Sequence, residues 1–215
     1  MTEPFERLHP AVQHHVVNSL SWASLRPLQS LSIEPVLGGD HALLLAPTAQ
    51  GKTEAAFLPL LSRMLTEEWK GLSVLYVCPL RALLNNLHPR LERYAGFLGR
   101  RAGLWHGDVA DSVRRRILSD PPDVLLTTPE SIEVMLTSRR VDRPWLFGNL
   151  RAVVIDELHA YRGGFGSHLA NVVRRLKRIC AHYGSAPVFI CSSATIANPR
   201  ELAGRLVGER FEVVS

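Results

Sequence analysis

The chain has 215 residues, of which 46% are hydrophobic and 21% charged, and its formal net charge is +5. This length allows a substantial hydrophobic core, and the composition is typical of a globular protein rather than a disordered or fibrous one. Charged residues or prolines interrupt each apolar run before it reaches the length of a membrane span, and the N-terminus does not resemble a signal peptide. We therefore expect a cytoplasmic protein with no membrane partner.

The three cysteines, Cys78, Cys180 and Cys191, are too few and too scattered for a disulfide framework or a zinc site. Cys78 and Cys191 lie in apolar, strand-like runs, so we expect them to be buried thiols. The basic residues form pairs and triplets along the chain. Such clusters favour a polyanionic partner such as nucleic acid, although solvated helix faces would produce the same pattern.

Short apolar runs alternate with longer amphipathic ones, which predicts an α/β fold with a mainly parallel sheet. Before Asp40 the pattern predicts two helices, over residues 11–20 and 25–37. The predicted strands are 42–45, 73–78, 103–106, 124–127, 152–156, 187–192 and 211–214. The predicted helices between them are 52–66, 81–98, 108–118, 130–137, 167–183 and 199–206. We expect residues 1–40 to lead into one domain formed by residues 41–215.

The segment Ala46-Pro-Thr-Ala-Gln-Gly-Lys-Thr53 lies between a predicted strand and a predicted helix. A loop that enters a helix N-terminus offers free backbone N–H groups to phosphate, and Gly51 lets the backbone approach closely. Lys52 places a positive charge against the phosphates, and Thr53 is suited to Mg²⁺. Ala46 and Ala49 depart from the usual glycine-rich pattern, and Ala49 restricts φ where glycine would not.

The run Val153-Val-Ile-Asp-Glu157 predicts a buried strand that ends in two carboxylates. Ligands bind at the carboxyl ends of strands in open α/β sheets. Asp156 would hold Mg²⁺, and Glu157 would orient or deprotonate the attacking water. The dipeptide alone would favour a solvated turn, but together with the phosphate loop it indicates a nucleotide site.

Seven short motifs follow one another along the chain. They are Leu25-Arg-Pro-Leu-Gln29, Ala46 to Thr53, Tyr76-Val-Cys-Pro-Leu-Arg-Ala-Leu83, His106-Gly-Asp108, Thr127-Thr-Pro-Glu-Ser131, Asp156-Glu-Leu-His159 and Ser192-Ser-Ala-Thr195. In this order they resemble the first-domain motifs of superfamily 2 DExH helicases, and the Lhr and YprA-like groups are the most similar. The resemblance covers nearly the whole chain and implies a three-layer α/β/α RecA-like domain of the P-loop NTPase class.

The resemblance implies an ATP site with Mg²⁺. Gln29 matches the glutamine that reads adenine, although a glutamine on a helix surface is the alternative. Lys52, Asp156 and Glu157 match the catalytic residues, and Thr53 and Asp156 match the Mg²⁺ ligands. The implied nucleotide-binding set is Gln29, Pro47, Thr48, Ala49, Gln50, Gly51, Lys52, Thr53 and Glu54.

The resemblance also implies backbone contacts to nucleic acid and residues that couple them to the ATP site. The nucleic-acid set is Pro79, Arg81, Gly107, Thr128, Pro129 and Glu130, although a turn and a helix start would use the same residue types. Ser193 and Thr195 match the motif that hydrogen-bonds the carboxylates of Asp156-Glu157, and His159 would face that link. Four tryptophans, at positions 22, 69, 105 and 145, are expected to anchor a core or an interface.

The implied function is the first motor domain of an ATP-dependent helicase, with DNA favoured over RNA. A second RecA-like domain is expected after residue 215, and nuclease or repair proteins are candidate partners. Without the arginine finger of that second domain, we expect residues 1–215 alone to hydrolyse ATP poorly. The alternatives are a duplex translocase or switch subunit of a nuclease or defence complex, and a nucleic-acid-binding module whose ATP site is weakened.

Overall fold

A single sheet of seven parallel strands forms the centre of the computed structural model, which describes residues 3–215. The first two residues of the predicted 1–40 segment lie outside this range. Each strand follows one of the predicted apolar runs, with both ends within one residue of the prediction. The strands are β1 (Ala42–Leu45), β2 (Val74–Val77), β3 (Ala102–Trp105), β4 (Val124–Thr127), β5 (Ala152–Ile155), β6 (Val188–Ser193) and β7 (Glu212–Val214).

Helices cover both faces of the sheet, which confirms the predicted three-layer α/β/α class. Short turns of 3₁₀ helix at Pro4–Arg7 and Leu158–Ala160, and one π-helical turn at His15–Ser19, complete the described elements. The α-helices are α1 (Pro10–His14), α2 (Pro27–Leu31), α3 (Ile33–Gly38), α4 (Lys52–Thr66), α5 (Arg81–Gly96), α6 (Asp111–Ser119), α7 (Pro129–Thr137), α8 (Arg143–Phe147), α9 (Gly163–His182) and α10 (Pro199–Val207).

The strand order is β3-β4-β2-β5-β6-β1-β7. It brings together strands that are far apart in sequence: Leu45 at the end of β1 pairs with Ser193, and Ile155 at the end of β5 pairs with Cys191. The segments that follow β1, β5 and β6 therefore meet at one part of the carboxyl edge. The segments that follow β2, β4 and β3 occupy the neighbouring part.

Alternating side chains of the strands separate the core into two layers. One layer contains Leu44, Tyr76 and Ile190 and packs against the helices α1 to α5. The other contains Leu43 and Phe189 and packs against α7 to α10. The face on which a strand residue lies therefore decides which group of helices its side chain meets.

The N-terminal helices differ from the prediction in a way that one proline explains. The predicted helix 25–37 is divided into α2 and α3 at Ser32. Pro35 has no N–H group, so the carbonyl of Leu31 has no helical partner four residues later. The predicted helix 11–20 ends as α1 at His14, and the next turn widens, with the Leu20 N–H donating to the His15 carbonyl at 2.9 Å.

Helix α9 begins at Gly163, four residues before the predicted start. Glycine is a poor helix former, so the two glycines at 163 and 164 gave no indication that the helix begins there. Gly166 needs its small size there, because a Cβ would lie 2.7 Å from the carbonyl oxygen of Tyr161. Tyr161 also stacks on Phe165, with ring centroids 5.0 Å apart.

The sequence did not predict α8, and helix α6 begins three residues after its predicted start. Five residues are too few for the periodicity of α8 to be recognised. Before α6, the Val109 N–H donates to the His106 carbonyl and forms a turn. Trp145 in α8 is 54% exposed and is no core anchor, whereas Trp69 and Trp105 are buried.

All three cysteines are free and buried, as the sequence predicts for Cys78 and Cys191. Burial raises the pKa of the Cys78 thiol to about 12, and the negative charge of Asp156 acts in the same direction. Within residues 3–215, no helix is both long and apolar enough to cross a membrane.

Candidate nucleotide site and nucleic-acid interface

The loop between β1 and α4 bends through two left-handed residues, Ala49 with φ +63° and Gly51 with φ +78°. Alanine in this conformation costs about 1–2 kcal/mol relative to the right-handed region. Ala49 thus adopts the conformation for which glycine is better suited. Pro47, Thr48 and Gln50 are exposed in the same loop.

Gly51 is also required by close packing against Gln29. A Cβ at Gly51 would lie 2.4 Å from the Gln29 Nε2 atom. Gln29 is buried, and its Oε1 accepts a hydrogen bond from the Arg26 backbone N–H at 3.0 Å. The side chain therefore lies against the phosphate loop rather than on a helix surface, and this excludes the surface alternative.

Lys52 is the first residue of α4 and its side chain turns back into the loop. Its ammonium group donates to the carbonyl oxygens of Ala46 at 2.9 Å and Pro47 at 3.2 Å. The side chain is buried, and the loop carbonyls supply the hydrogen-bond partners that a buried charge needs. A cation is thus held inside the curve of the loop.

Asp156 follows β5 and is held by three donors. The Tyr76 hydroxyl donates to Oδ2 at 2.8 Å, while the Ser192 hydroxyl and the Glu157 backbone N–H donate to Oδ1. Burial and the charge of Asp156 raise the pKa of Tyr76, so this hydroxyl stays protonated and remains a donor. The orientation of the carboxylate is therefore fixed by neighbouring strands β2 and β6.

Glu157 has φ +53° and lies beside His159, with Oε2 of the carboxylate 3.2 Å from Nε2 of the imidazole. The other ring nitrogen, Nδ1, is 3.4 Å from the Ala194 backbone N–H and 3.5 Å from the Ser193 hydroxyl. His159 therefore bridges Glu157 and the segment after β6.

The predicted hydrogen bond from Ser193 to the carboxylates is wrong. The hydroxyl of Ser192 makes the bond to Asp156, and the Ser193 hydroxyl donates to the Ala194 carbonyl. Adjacent residues of a strand point to opposite faces, so only one of the two serines can reach Asp156. Thr195 is exposed in the segment that follows.

Gln29, the phosphate loop, Asp156 and Glu157 line one cleft of about 630 Å³. The residues that line it include three cationic side chains and three carboxylates. Glu54 is buried there, and its Oε1 lies 3.2 Å from the Tyr94 hydroxyl and 3.3 Å from Arg90. The charged lining residues are Arg26, Lys52, Arg90, Glu54, Asp156 and Glu157.

The predicted nucleic-acid residues lie on the other half of the same edge, after β2, β3 and β4. Arg81 begins α5 and donates to Asp108 Oδ1 at 2.7 Å, and both side chains are exposed. Gly107 lies beneath this guanidinium, because a Cβ there would be 2.9 Å from Arg81 Nη2. Pro79, at the end of the preceding turn, is partly buried.

Thr128 is buried and caps α7, because its hydroxyl oxygen accepts from the Ser131 N–H at 3.4 Å. Pro129 occupies the first position of this helix, and Glu130 is exposed. The residues that cap the N-terminus of α7 are therefore also the residues that lie at the carboxyl edge of the sheet. Arg81, Gly107 and Glu130 are exposed at this edge, whereas Thr128 and Pro129 are buried.

Several residues that shape the cleft could not be assigned a role from the sequence. Tyr76 and Ser192 belong to recognised motifs, and the alternation of β2 and β6 could have placed them on the side of Asp156. Arg90 and Tyr94 lie in the second half of α5, outside the motifs, and no local pattern identifies them. Arg26 lies inside the first motif, but the sequence did not show that its guanidinium donates to the Ala49 carbonyl.

Comparison with known proteins gives one consistent result. The sequence profile of the DEAD/DEAH box helicase family matches residues 26–202. The ATP-dependent helicase YprA of Bacillus subtilis is 38% identical over 188 residues, which cover 86% of this chain and 25% of YprA. This chain therefore spans about a quarter of that relative.

Two solved structures have the same fold over nearly the whole chain. The DUF1998 helicase MrfA bound to DNA has a TM-score of 0.86 and 34% identity, covering 100% of this chain and 30% of MrfA. The helicase Lhr of Mycobacterium smegmatis, bound to single-stranded DNA and AMP-PNP, has a TM-score of 0.84 and 31% identity, covering 99% of this chain and 28% of Lhr.

Proposed function

Because this chain belongs to the DEAD/DEAH box helicase family, we propose that it is the ATP-binding motor domain of an ATP-dependent helicase that acts on DNA. The observation that carries the proposal is that Lys52 and the adjacent carboxylates Asp156 and Glu157 line the same cleft. A lysine at a helix N-terminus and a fixed carboxylate pair are the groups that phosphoryl transfer requires.

The donor set fits Mg²⁺ and ATP. Among residues 3–215 no three His, Cys, Asp or Glu side chains form a metal cage, but Mg²⁺ with a nucleotide normally takes one or two protein ligands, phosphate oxygens and water. Thr53 and Asp156 would supply these ligands. The metal would neutralise charge on the phosphates, and Lys52 would bind phosphate oxygens while Glu157 orients the attacking water.

The edge formed by Arg81, Gly107 and the start of α7 would bind the backbone of a nucleic-acid strand, with Arg81 and Gly107 exposed to solvent. Backbone contacts hold a strand in position without reading its sequence. The preference for DNA is supported by MrfA and Lhr, whose structures contain DNA and which are 34% and 31% identical to this chain. Mss116 bound to RNA is only 19% identical and supports the fold alone.

His159 would connect ATP hydrolysis to nucleic-acid binding, since it contacts both Glu157 and the segment after β6. Ser193 at the end of β6 and Thr195 in the segment after it would transmit the state of the nucleotide to a second RecA-like domain. We propose that domain as the partner that completes the cleft.

The test is ATP hydrolysis and strand displacement by the full-length protein with single-stranded DNA, duplex DNA and RNA. We expect Lys52→Ala and Glu157→Gln to abolish stimulated hydrolysis, while Lys70→Ala and Glu92→Gln, at exposed positions outside the cleft, leave it unchanged. Full activity in both cleft variants would refute the site. Stimulation by duplex without displacement would identify a translocase instead.

A further inference from the structure

Arg90 reaches the start of α4 from the middle of α5. Its Nη2 lies 3.3 Å from the Thr53 hydroxyl, and its Nη1 lies 3.3 Å from Glu54 Oε1. Its side chain is 47% exposed and lines the same cleft as Lys52. A cation from outside the phosphate loop is therefore in contact with the threonine proposed to bind Mg²⁺.

The other two cations of the cleft already have partners within the loop. Lys52 donates to two loop carbonyls, and Arg26 donates to the Ala49 carbonyl. Arg90 differs from them because its contacts are the side-chain oxygens of Thr53 and Glu54 rather than loop carbonyls. Its guanidinium group can thus turn within the cleft without breaking the loop.

A metal at the same hydroxyl oxygen would oppose the contact with Thr53. The oxygen has two lone pairs, so the conflict is one of charge: Mg²⁺ bound there would repel the guanidinium that donates to it at short distance. A phosphate chain in the cleft offers the alternative acceptor, and arginine pairs well with phosphate oxygens.

We propose that Arg90 is a further nucleotide-binding residue, whose guanidinium leaves Thr53 and contacts the phosphate chain when the metal–nucleotide complex binds. This inference rests on the proposed function of the cleft. The pairing of Arg90 with Glu54 positions the arginine side chain, since the buried carboxylate of Glu54 holds one of the guanidinium nitrogens.

The experiment measures the dissociation constants of fluorescent mant-ATP and mant-ADP for the 215-residue chain, with Mg²⁺ present. Arg90→Ala is expected to weaken mant-ATP binding about tenfold, the effect of one hydrogen bond to a charged group. The matched control is Arg93→Ala, which removes the same residue type one turn away, outside the cleft, where Arg93 lies over the Phe97 ring.

A purely structural role would make Arg90→Gln behave as the wild type, because the amide can still bond to Glu54 and Thr53. The proposal requires Arg90→Gln to lose most of the affinity at an unchanged melting temperature, and Arg90→Lys to recover part of it. Wild-type affinity in Arg90→Gln, or an equal loss in Arg93→Ala, would overturn the proposal. If the wild type and Lys52→Ala both fail to bind mant-ATP, the cleft is not a nucleotide site, and the proposed function is wrong together with the role of Arg90.

Discussion

Ala49 has the least favourable backbone conformation in the phosphate loop. Its φ of +63° costs about 1–2 kcal/mol for alanine. Glycine would remove that strain. It would also increase the entropy of the unfolded chain, which lowers the free energy of unfolding by about 0.4–1 kcal/mol. Ala49→Gly is therefore expected to stabilise the fold by about 0.5–1 kcal/mol, as measured by urea unfolding.

The matched control for this change is Ala46→Gly in the same loop. Ala46 is buried and has a negative φ, so glycine there only adds unfolded-state entropy and removes packing. It is expected to destabilise by about 1 kcal/mol. Equal destabilisation by both substitutions would show that Ala49 is not strained.

Gly107 provides the second prediction at the scale of a single residue. In Gly107→Ala the new Cβ would displace the Arg81 guanidinium, which is the exposed end of a flexible side chain. Stability should change by less than about 0.5 kcal/mol. Affinity for a labelled single-stranded oligonucleotide, measured by fluorescence anisotropy, should fall about tenfold because one charged contact to phosphate is misplaced.

Gly96→Ala is the control, because a Cβ at that position meets nothing within 4 Å. It should bind the oligonucleotide as the wild type does. If Gly107→Ala also binds normally, Arg81 does not contact the strand.

At the scale of elements, strand alternation determines which side chains meet at the cleft. Tyr76 and Ile190 lie in the core layer that faces α4 and α5. Asp156 and Ser192, two residues beyond Val154 and Ile190, continue on that side and come into contact. Ser193 belongs to the opposite side, next to His159.

Ser192→Ala is therefore expected to reduce ATP turnover more than Ser193→Ala. The first substitution removes one of three donors that orient Asp156, and we expect a loss of about tenfold, as for a hydrogen bond to a charged group. The measurement is kcat of the full-length protein with saturating single-stranded DNA, with melting temperatures compared in parallel. A larger loss in Ser193→Ala would contradict the assignment.

The sequence predicted elements well where hydrophobic periodicity and motif positions agreed. Helix α4 begins at Lys52 and ends at Thr66, as predicted, because the phosphate loop defines its start. Contacts between distant segments could not be predicted in the same way. The choice between Ser192 and Ser193 depended on where β6 ends, and a shift of one residue reverses the face of every side chain. The approach of Arg90 to Thr53 depends on the packing of α5 against α4.

At the scale of the whole molecule, we propose that a second RecA-like domain supplies further residues to the cleft. The cations that line it are Arg26, Lys52 and Arg90 among the described residues, and the chain spans 25% of YprA. An arginine finger from a partner domain accelerates phosphoryl transfer by about three to five orders of magnitude. Residues 1–215 alone should therefore hydrolyse ATP slowly with or without DNA, and strong DNA-stimulated turnover by this chain would contradict the prediction.

Two histidines, the partly buried His41 and the buried His106, make the stability of the fold depend on pH. Burial lowers the pKa of His41 and of His106 below the usual 6.5. In each ring Nδ1 accepts a backbone hydrogen bond, from Phe189 at 2.9 Å and from Asp108 at 3.3 Å, and protonation would remove that acceptor. The unfolded chain thus binds protons more readily, so stability should be complete above pH 6.5 and decrease as the pH falls through the lowered pKa values.

The measurement is the urea midpoint between pH 8 and pH 5. Carboxylates also contribute to acid unfolding, so the contribution of the histidines is isolated by a double variant, His41→Gln with His106→Gln. This variant should be less stable at pH 8 but should lose less stability between pH 7 and pH 5.5 than the wild type. His14→Gln, at an exposed position, should keep the wild-type dependence. An unchanged slope in the double variant would mean that neither ring is held neutral by the fold.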